Sequence, residues 1–108
     1  MSRFIKDYQV SKSAGEIQNI INNFISKEGF KEYLYKGKNV WKKGVGLAVG
    51  PQFMDFQVTD GKVHLEAWAK FAILPGLYAG EMGIEGLIGK IPKNLLKKKI
   101  EEFESLLK

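Results

Sequence analysis

Few side chains in this sequence can do chemistry. His64 is the single histidine and cysteine is absent, so a transition-metal site, which needs convergent imidazoles, thiolates or carboxylates, is not expected. Disulfides and thiolate nucleophiles are excluded for the same reason. His64 falls beside Glu66 and Lys70 on one side of an alternating run. An acid–base role there would also need an oriented partner and a pocket, and the plainer reading is a surface histidine of a hairpin. Glu81 and Glu85 stand four apart, the spacing of neighbours on one helix face. Such a pair in apolar surroundings could hold a cation or titrate at raised pH, and solvated loop carboxylates are the simpler alternative. No catalytic residue, metal or cofactor is assigned, and the chain is read as non-enzymatic.

The least ordinary stretch is Ile73 to Pro92, where glycines recur at 76, 80, 83, 86 and 89. It contains neither GxxxxGK[ST] nor GxGxxG, so it is not a nucleotide loop. Nor can it span a bilayer: the longest uncharged run that enters it, Phe71 to Gly80, has ten residues, where a spanning helix needs ~20. The remaining reading is structural, an apolar flap, loop or short helix, packed over the end of a sheet. Beyond it, the free N–H groups at the start of the last helix lie close in sequence to Lys90, Lys93 and Lys97, which makes these three lysines a candidate anion site.

Around these features the chain alternates between two periods. Arg3 to Val10 is a short strand. Ser13-Ala-Gly-Glu16 is a capping box, and Ile17, Ile20, Ile21, Phe24 and Ile25 follow at helical spacing. Gly29 closes that helix as a left-handed C′ residue. The period then becomes two. Tyr33 and Tyr35 share one face of a strand, and Lys36 to Asn39 turns the chain. Alternating glycines and apolar residues from Gly44 to Gly50 suggest a bend or a close backbone approach. Met54, Phe56 and Val58 oppose Phe53, Asp55 and Gln57 on the next strand. Thr59-Asp60-Gly61-Lys62 is the strongest hairpin signal. The strand after it places Val63, Leu65, Ala67 and Ala69 toward the core, and His64, Glu66, Trp68 and Lys70 away from it. Lys93 to Lys108 is a second amphipathic helix, with Leu96, Ile100, Phe103 and Leu107 as its stripe.

These elements predict a single α+β domain over residues 1–108: two layers, an antiparallel sheet of four to five strands with both helices on one face, in the order β-α-β-β-β(-β)-α. This order is similar to the TATA-binding-protein-like and helix-grip architectures. The segments VWKKG (Val40 to Gly44), PQF (Pro51 to Phe53), LEAW (Leu65 to Trp68) and PGLYAGEMGIEG (Pro75 to Gly86) resemble a family of small, uncharacterised bacterial domains over roughly the final two thirds of the chain. That resemblance implies no activity.

The 108 residues suit one domain, and 44% hydrophobic content is enough for a packed core. A net charge of +5 allows weak attraction to nucleic acid or anionic lipid. The amino terminus has no apolar segment of the secretory kind, and a cytoplasmic location is expected. The leading functional reading is a binding or interaction module that uses the glycine-rich flap and an aromatic sheet face, with Tyr33, Tyr35, Trp41, Trp68, Tyr78 and Met82 as its contact residues. Its partner would be a small apolar ligand or a second copy of the chain. The alternative is association with nucleic acid or an anionic membrane surface through basic patches.

Overall fold

The computed structural model describes residues 3–44, 50–74, 77–84 and 90–108, with only the backbone at 71–74, 79 and 90–92. Its elements are β1 (Phe4–Gln9), α1 (Ala14–Glu28), β2 (Lys31–Tyr35), β3 (Lys38–Lys43), β4 (Gln52–Thr59), β5 (Lys62–Leu74), β6 (Leu77–Met82) and α2 (Lys90–Leu106). The class is α+β, as the two periodicities require.

Helix α1 begins and ends where its capping residues dictate. The Ser13 hydroxyl accepts from the Glu16 amide, the Glu16 carboxylate accepts from the Ser13 amide, and Gly29 is left-handed at φ +81°. The capping box places a carboxylate near the positive end of the helix dipole. Ile17, Ile21, Phe24 and Ile25 are the buried stripe. Helix α2 repeats the pattern with Leu96, Ile100 and Phe103, continued by Leu107 just past its end. Both stripes join Val63, Leu65, Ala67, Ala69 and Met54 in one core, so the two helices lie on the same side of the sheet.

Every strand pairing is antiparallel, with β2, β3, β4 and β5 in meander order. At its start β5 pairs with β1 (Phe4 opposite Ala67), and at its end with β6 (Met82 opposite Ala69). Ala67 and Ala69 already pair with β4 on their other edge, so β1 and β6 lie end to end along the same edge of β5. Two hairpins are tight. Lys36 and Gly37 turn β2 into β3 with φ +50° and +83°, both in the left-handed region, as a type I′ turn demands. At the β4–β5 turn Gly61 carries φ +74°. Its amide donates to Lys12 and its carbonyl accepts from Val10, which ties the turn to the β1–α1 link.

The sixth strand is the main departure from expectation. The described middle of the glycine-rich stretch is neither loop nor helix but β6. Pairing moves from Phe71–Ala79 to Ala69–Met82, so three steps on β6 match two on β5. Gly80 sits in that bulge at φ +75°, a conformation that favours glycine. Helix α2 also starts earlier than expected, at Lys90, which puts Pro92 inside its first turn, where a proline is tolerated. Gly46 and Ala48 of the alternating run, the glycines at 76, 86 and 89, and Glu85 lie outside the described residues.

Replacing Leu65, which is fully buried at 0% exposure between the two helices and the sheet, should cost about 2–5 kcal/mol as Leu65→Ala. Ser13→Ala should cost about 1 kcal/mol. Urea unfolding of the two variants measures both, and a smaller loss for Leu65→Ala than for Ser13→Ala would contradict this core.

Candidate functional site

Alternation along β5 turns His64, Glu66, Trp68 and Lys70 away from the helices. Their neighbours follow from register. Phe53 and Asp55 lie opposite Trp68 and Glu66, and Lys42 lies opposite Phe53. Tyr33 and Tyr35 lie opposite Val40 and Lys38. Tyr35, Val40, Phe53 and Trp68 form a second apolar cluster on this outer face. Phe53 and Trp68 stack with centroids 5.4 Å apart and planes at 6°. Tyr35 is 5.1 Å from Phe53 and 5.3 Å from Trp68, and Tyr33 is 5.9 Å from Phe53. Each such contact contributes about 0.5–1.5 kcal/mol beyond area burial.

A sheet face without helices should be wet, yet Trp68 is 0% exposed and Phe53 2%. Long cationic side chains contribute cover. The Arg3 guanidinium lies 3.8 Å from the Trp68 ring centroid, Lys42 Nζ 4.2 Å from that of Tyr33, and Lys70 Nζ 5.0 Å from that of Tyr35. Stacking of this kind suits Arg, whose planar ion is weakly hydrated. Among the described residues the indole N–H of Trp68 has no hydrogen-bond partner.

Arg3 also organises the charges. Its Nε and Nη2 donate to the two oxygens of Glu81 at 2.8 and 3.1 Å, and Nη1 donates to Glu66 at 3.1 Å. Tyr35 donates to Glu81 at 2.6 Å. The other Glu66 oxygen meets His64 Nε2 at 2.9 Å, and His64 Nδ1 meets Asp7 at 2.6 Å. A continuous polar chain therefore links β1, β5, β6 and β2. The fork from Arg3 holds the Glu81 carboxyl down at about 2, against the opposing effect of burial. Burial, then the bond to Glu81, pushes the Tyr35 phenol up to about 12. Hydrogen bonds to Glu66 and Asp7 raise the His64 pKa above 6.5. With a carboxylate at each ring nitrogen, both nitrogens donate in the imidazolium form. Neither is then free to accept a proton from a substrate.

Of the contact residues expected from sequence, Tyr33, Tyr35 and Trp68 do share the outer face. Trp41 does not: it pairs with Met54 and packs partly buried against the helix-side core, because its neighbours Val40 and Lys42 take the outer positions of β3. Met82 is buried opposite Ala69, on the helix side. Tyr78 is half-buried on β6. The lysines expected at the start of α2 are split: Lys97 is exposed, Lys93 is buried at 2% exposure, and the side chain of Lys90 lies outside the described residues. Lys93 falls on the buried stripe because it precedes Leu96 by three and Ile100 by seven residues.

Sequence reasoning missed Arg3, Asp7 and Phe53 as members of the outer face. For Phe53 the strand alternation was a usable signal; for Arg3, 78 residues from Glu81, no local signal exists. A groove of about 340 Å³ lined by Asp7, Gln57, Val58, Thr59, Lys62 and His64 borders the polar chain at its His64 end. It does not reach the aromatic rings. Among the described residues no three metal-ligating side chains converge, and no helix is long and apolar enough to cross a membrane. Compared with protein families, curated proteins and solved structures, the chain matches none.

The two titrating ends of the polar chain act with opposite sign. Glu81 has a depressed pKa, so its contribution is present above its ordinary value of 4.5 and is lost as pH falls toward about 2. His64 has a raised pKa, so its contribution is present below 6.5 and is lost as pH rises through the raised value. Glu81→Gln should lower stability by about 1–2 kcal/mol at neutral pH, allowing for partial screening, with the gap closing in acid. His64→Gln should cost more at about pH 5.5 than at about pH 8.5. Thermal melts across pH check both, and parallel pH profiles for wild type and variants would contradict the assignment.

Proposed function

We propose that the protein is a non-enzymatic binding module that meets an anionic partner, single-stranded nucleic acid, on its outer sheet face. The charge balance of that face carries the reading. Among the described residues its carboxylates are all engaged: Asp7 with His64, Asp55 with Lys38, Glu66 with Arg3 and His64, and Glu81 with Arg3. Lys31, Lys42, Lys62 and Lys70, by contrast, have no carboxylate partner among the described residues.

Unpaired lysines around aromatic rings are what a single strand uses, phosphates meeting the charges and bases the ring faces. Tyr33, 41% exposed, is the ring open to stacking once Lys42 swings from it to a phosphate. The same lysines would repel one another across two apposed copies, which disfavours self-association through this face. The reading is non-enzymatic because both nitrogens of His64 are committed to carboxylates. It takes the protein as cytoplasmic, where nucleic acid is at hand.

Fluorescence anisotropy with a labelled oligothymidine of about 12 nucleotides at low salt tests this reading. Affinity should fall steeply with salt, and Lys42→Ala with Lys70→Ala should flatten the log–log slope by about 1.4. Tyr33→Ala should weaken binding by about 1–3 kcal/mol with the slope unchanged. No binding at low salt, or equal binding by the variants, would remove the reading. Preference for anionic vesicles over the oligonucleotide would redirect it to a lipid surface.

A further inference from the structure

The sheet ends on β2, and that edge is open. β2 pairs with β3, and among the described residues no other strand pairs with it. Lys31, Glu32, Tyr33 and Leu34 are all exposed, Leu34 to 66%. An open edge is a template for another strand, and folds blunt such edges with bulges, proline or cover. The opposite edge of the sheet is blunted in this way, being divided between β1 and β6 with the Gly80 bulge in the second. β2 has no such device: its register with β3 runs unbroken from Lys31 to Tyr35.

The two-residue turn at Lys36 and Gly37 decides which backbone groups face outward. The residues flanking such a turn, Tyr35 and Lys38, form a hydrogen-bonded pair, and such pairs alternate along an antiparallel ladder. Tyr33 and Lys31 therefore also turn their backbone groups to β3, while Glu32 and Leu34 direct theirs to the free edge. The strand that fits there is β2 itself. Run antiparallel to a second copy about a two-fold axis at Leu34, it sets Leu34 opposite Leu34, Tyr33 opposite Tyr35, and Glu32 opposite Lys36. Apolar then meets apolar, ring meets ring, and acid meets base. Glu32 has no ion pair among the described residues, and the largely exposed Lys36 reaches Glu81 only at 3.9 Å. An axis at Glu32 would oppose two carboxylates, and one at Tyr33 would set Glu32 against Leu34.

We propose that the protein forms a two-fold dimer by antiparallel pairing of β2 with β2 of a second copy, centred on Leu34. The axis stands perpendicular to the sheet, so both outer faces look the same way and join into one surface. Edge pairing keeps the outer lysines apart. The two copies of Lys42, each one strand in from the seam, are separated by three strand spacings, ~14 Å or more, beyond the ~8–10 Å over which exposed charges act. Face-to-face association has no such relief. A strand of five residues buries far less than a standard interface, so the dimer is weak, dissociating at about 10–500 μM. It does not depend on the nucleic-acid reading of the outer face.

Sedimentation equilibrium of the full chain without nucleic acid, from about 5 μM to about 1 mM, tests the pairing. A monomer–dimer equilibrium is expected. Leu34→Lys sets two ammonium groups against each other across the axis and should weaken the dimer about tenfold or more. The melting temperature of the dilute variant should stay near that of wild type, since the side chain is exposed. Glu32→Lys should also weaken the dimer, and adding Lys36→Glu should restore it, because the pair re-forms with its signs exchanged. That exchange decides the matter even where Leu34→Lys does not fold. A protein that stays monomeric throughout would overturn the self-pairing and leave the edge to a strand of another chain. So would a dimer indifferent to Leu34→Lys, which would belong to a different surface, or a charge-exchanged variant no tighter than Glu32→Lys alone.

Discussion

One guanidinium makes the outer face of this sheet stable. The two helices cover only one side, so an aromatic cluster on the other side needs another source of cover. Arg3 lies over Trp68 while its fork is held by Glu81 and Glu66. The stacking shelters the ring, and the carboxylates fix the plane of the ion above it. The same fork makes Glu81 a strong acceptor for Tyr35, whose ring closes the cluster from the β2 side. An arginine can do this because its charge is spread over a plane with donors at the rim; a lysine would offer neither the plane nor the fork.

That arrangement depends on a bulge. In a regular strand Ala79 and Met82, three apart, would point to opposite faces, and Glu81 would take whatever side the register left it. The left-handed conformation of Gly80 absorbs one residue, so that Met82 turns to the helix side and Glu81 to the outer face beside Arg3. The glycine-rich stretch thus contributes a precise aim to one carboxylate. β1 and β6 share an edge of β5 end to end, which brings residue 3 beside residue 81. The molecule therefore has two chemically distinct faces. Among the described residues the outer one pairs its carboxylates and leaves Lys31, Lys42, Lys62 and Lys70 without a carboxylate partner, while the inner one is built mainly of apolar side chains.

Much of the fold was legible in local pattern. The Ser13–Glu16 capping box and Gly29 bounded α1 because capping is a matter of a few consecutive residues. The alternation from Val63 to Lys70 assigned both faces of β5, since side-chain direction along a strand has a period of two. The β4–β5 turn formed where Asp60-Gly61 placed it. Elsewhere the pattern was ambiguous. Leu77 to Met82 has too many small residues for a visible alternation, so β6 read as a flap. Trp41 is one of two tryptophans, and residue type alone drew it toward the aromatic face. The parity set by Val40 and Lys42 put it on the other. Lys93 read as a surface cation because lysines usually are, although its spacing from Leu96 and Ile100 already matched the buried stripe.

What the amino-acid sequence determined by itself was everything that depends on neighbours a few residues apart: two amphipathic helices, a hairpin-rich antiparallel sheet, the caps and turns, and the exclusion of thiolate and nucleotide-loop chemistry. Only the tertiary structure decided which side chains meet. Arg3 reaches Glu81 across 78 residues of chain, and His64 reaches Asp7 across 57. Such contacts follow from strand order and register, which are set by the whole core collapsing at once. No local window contains the information that β1 and β6 share one edge of β5. The site is a property of that edge, and it exists only once the sheet is assembled.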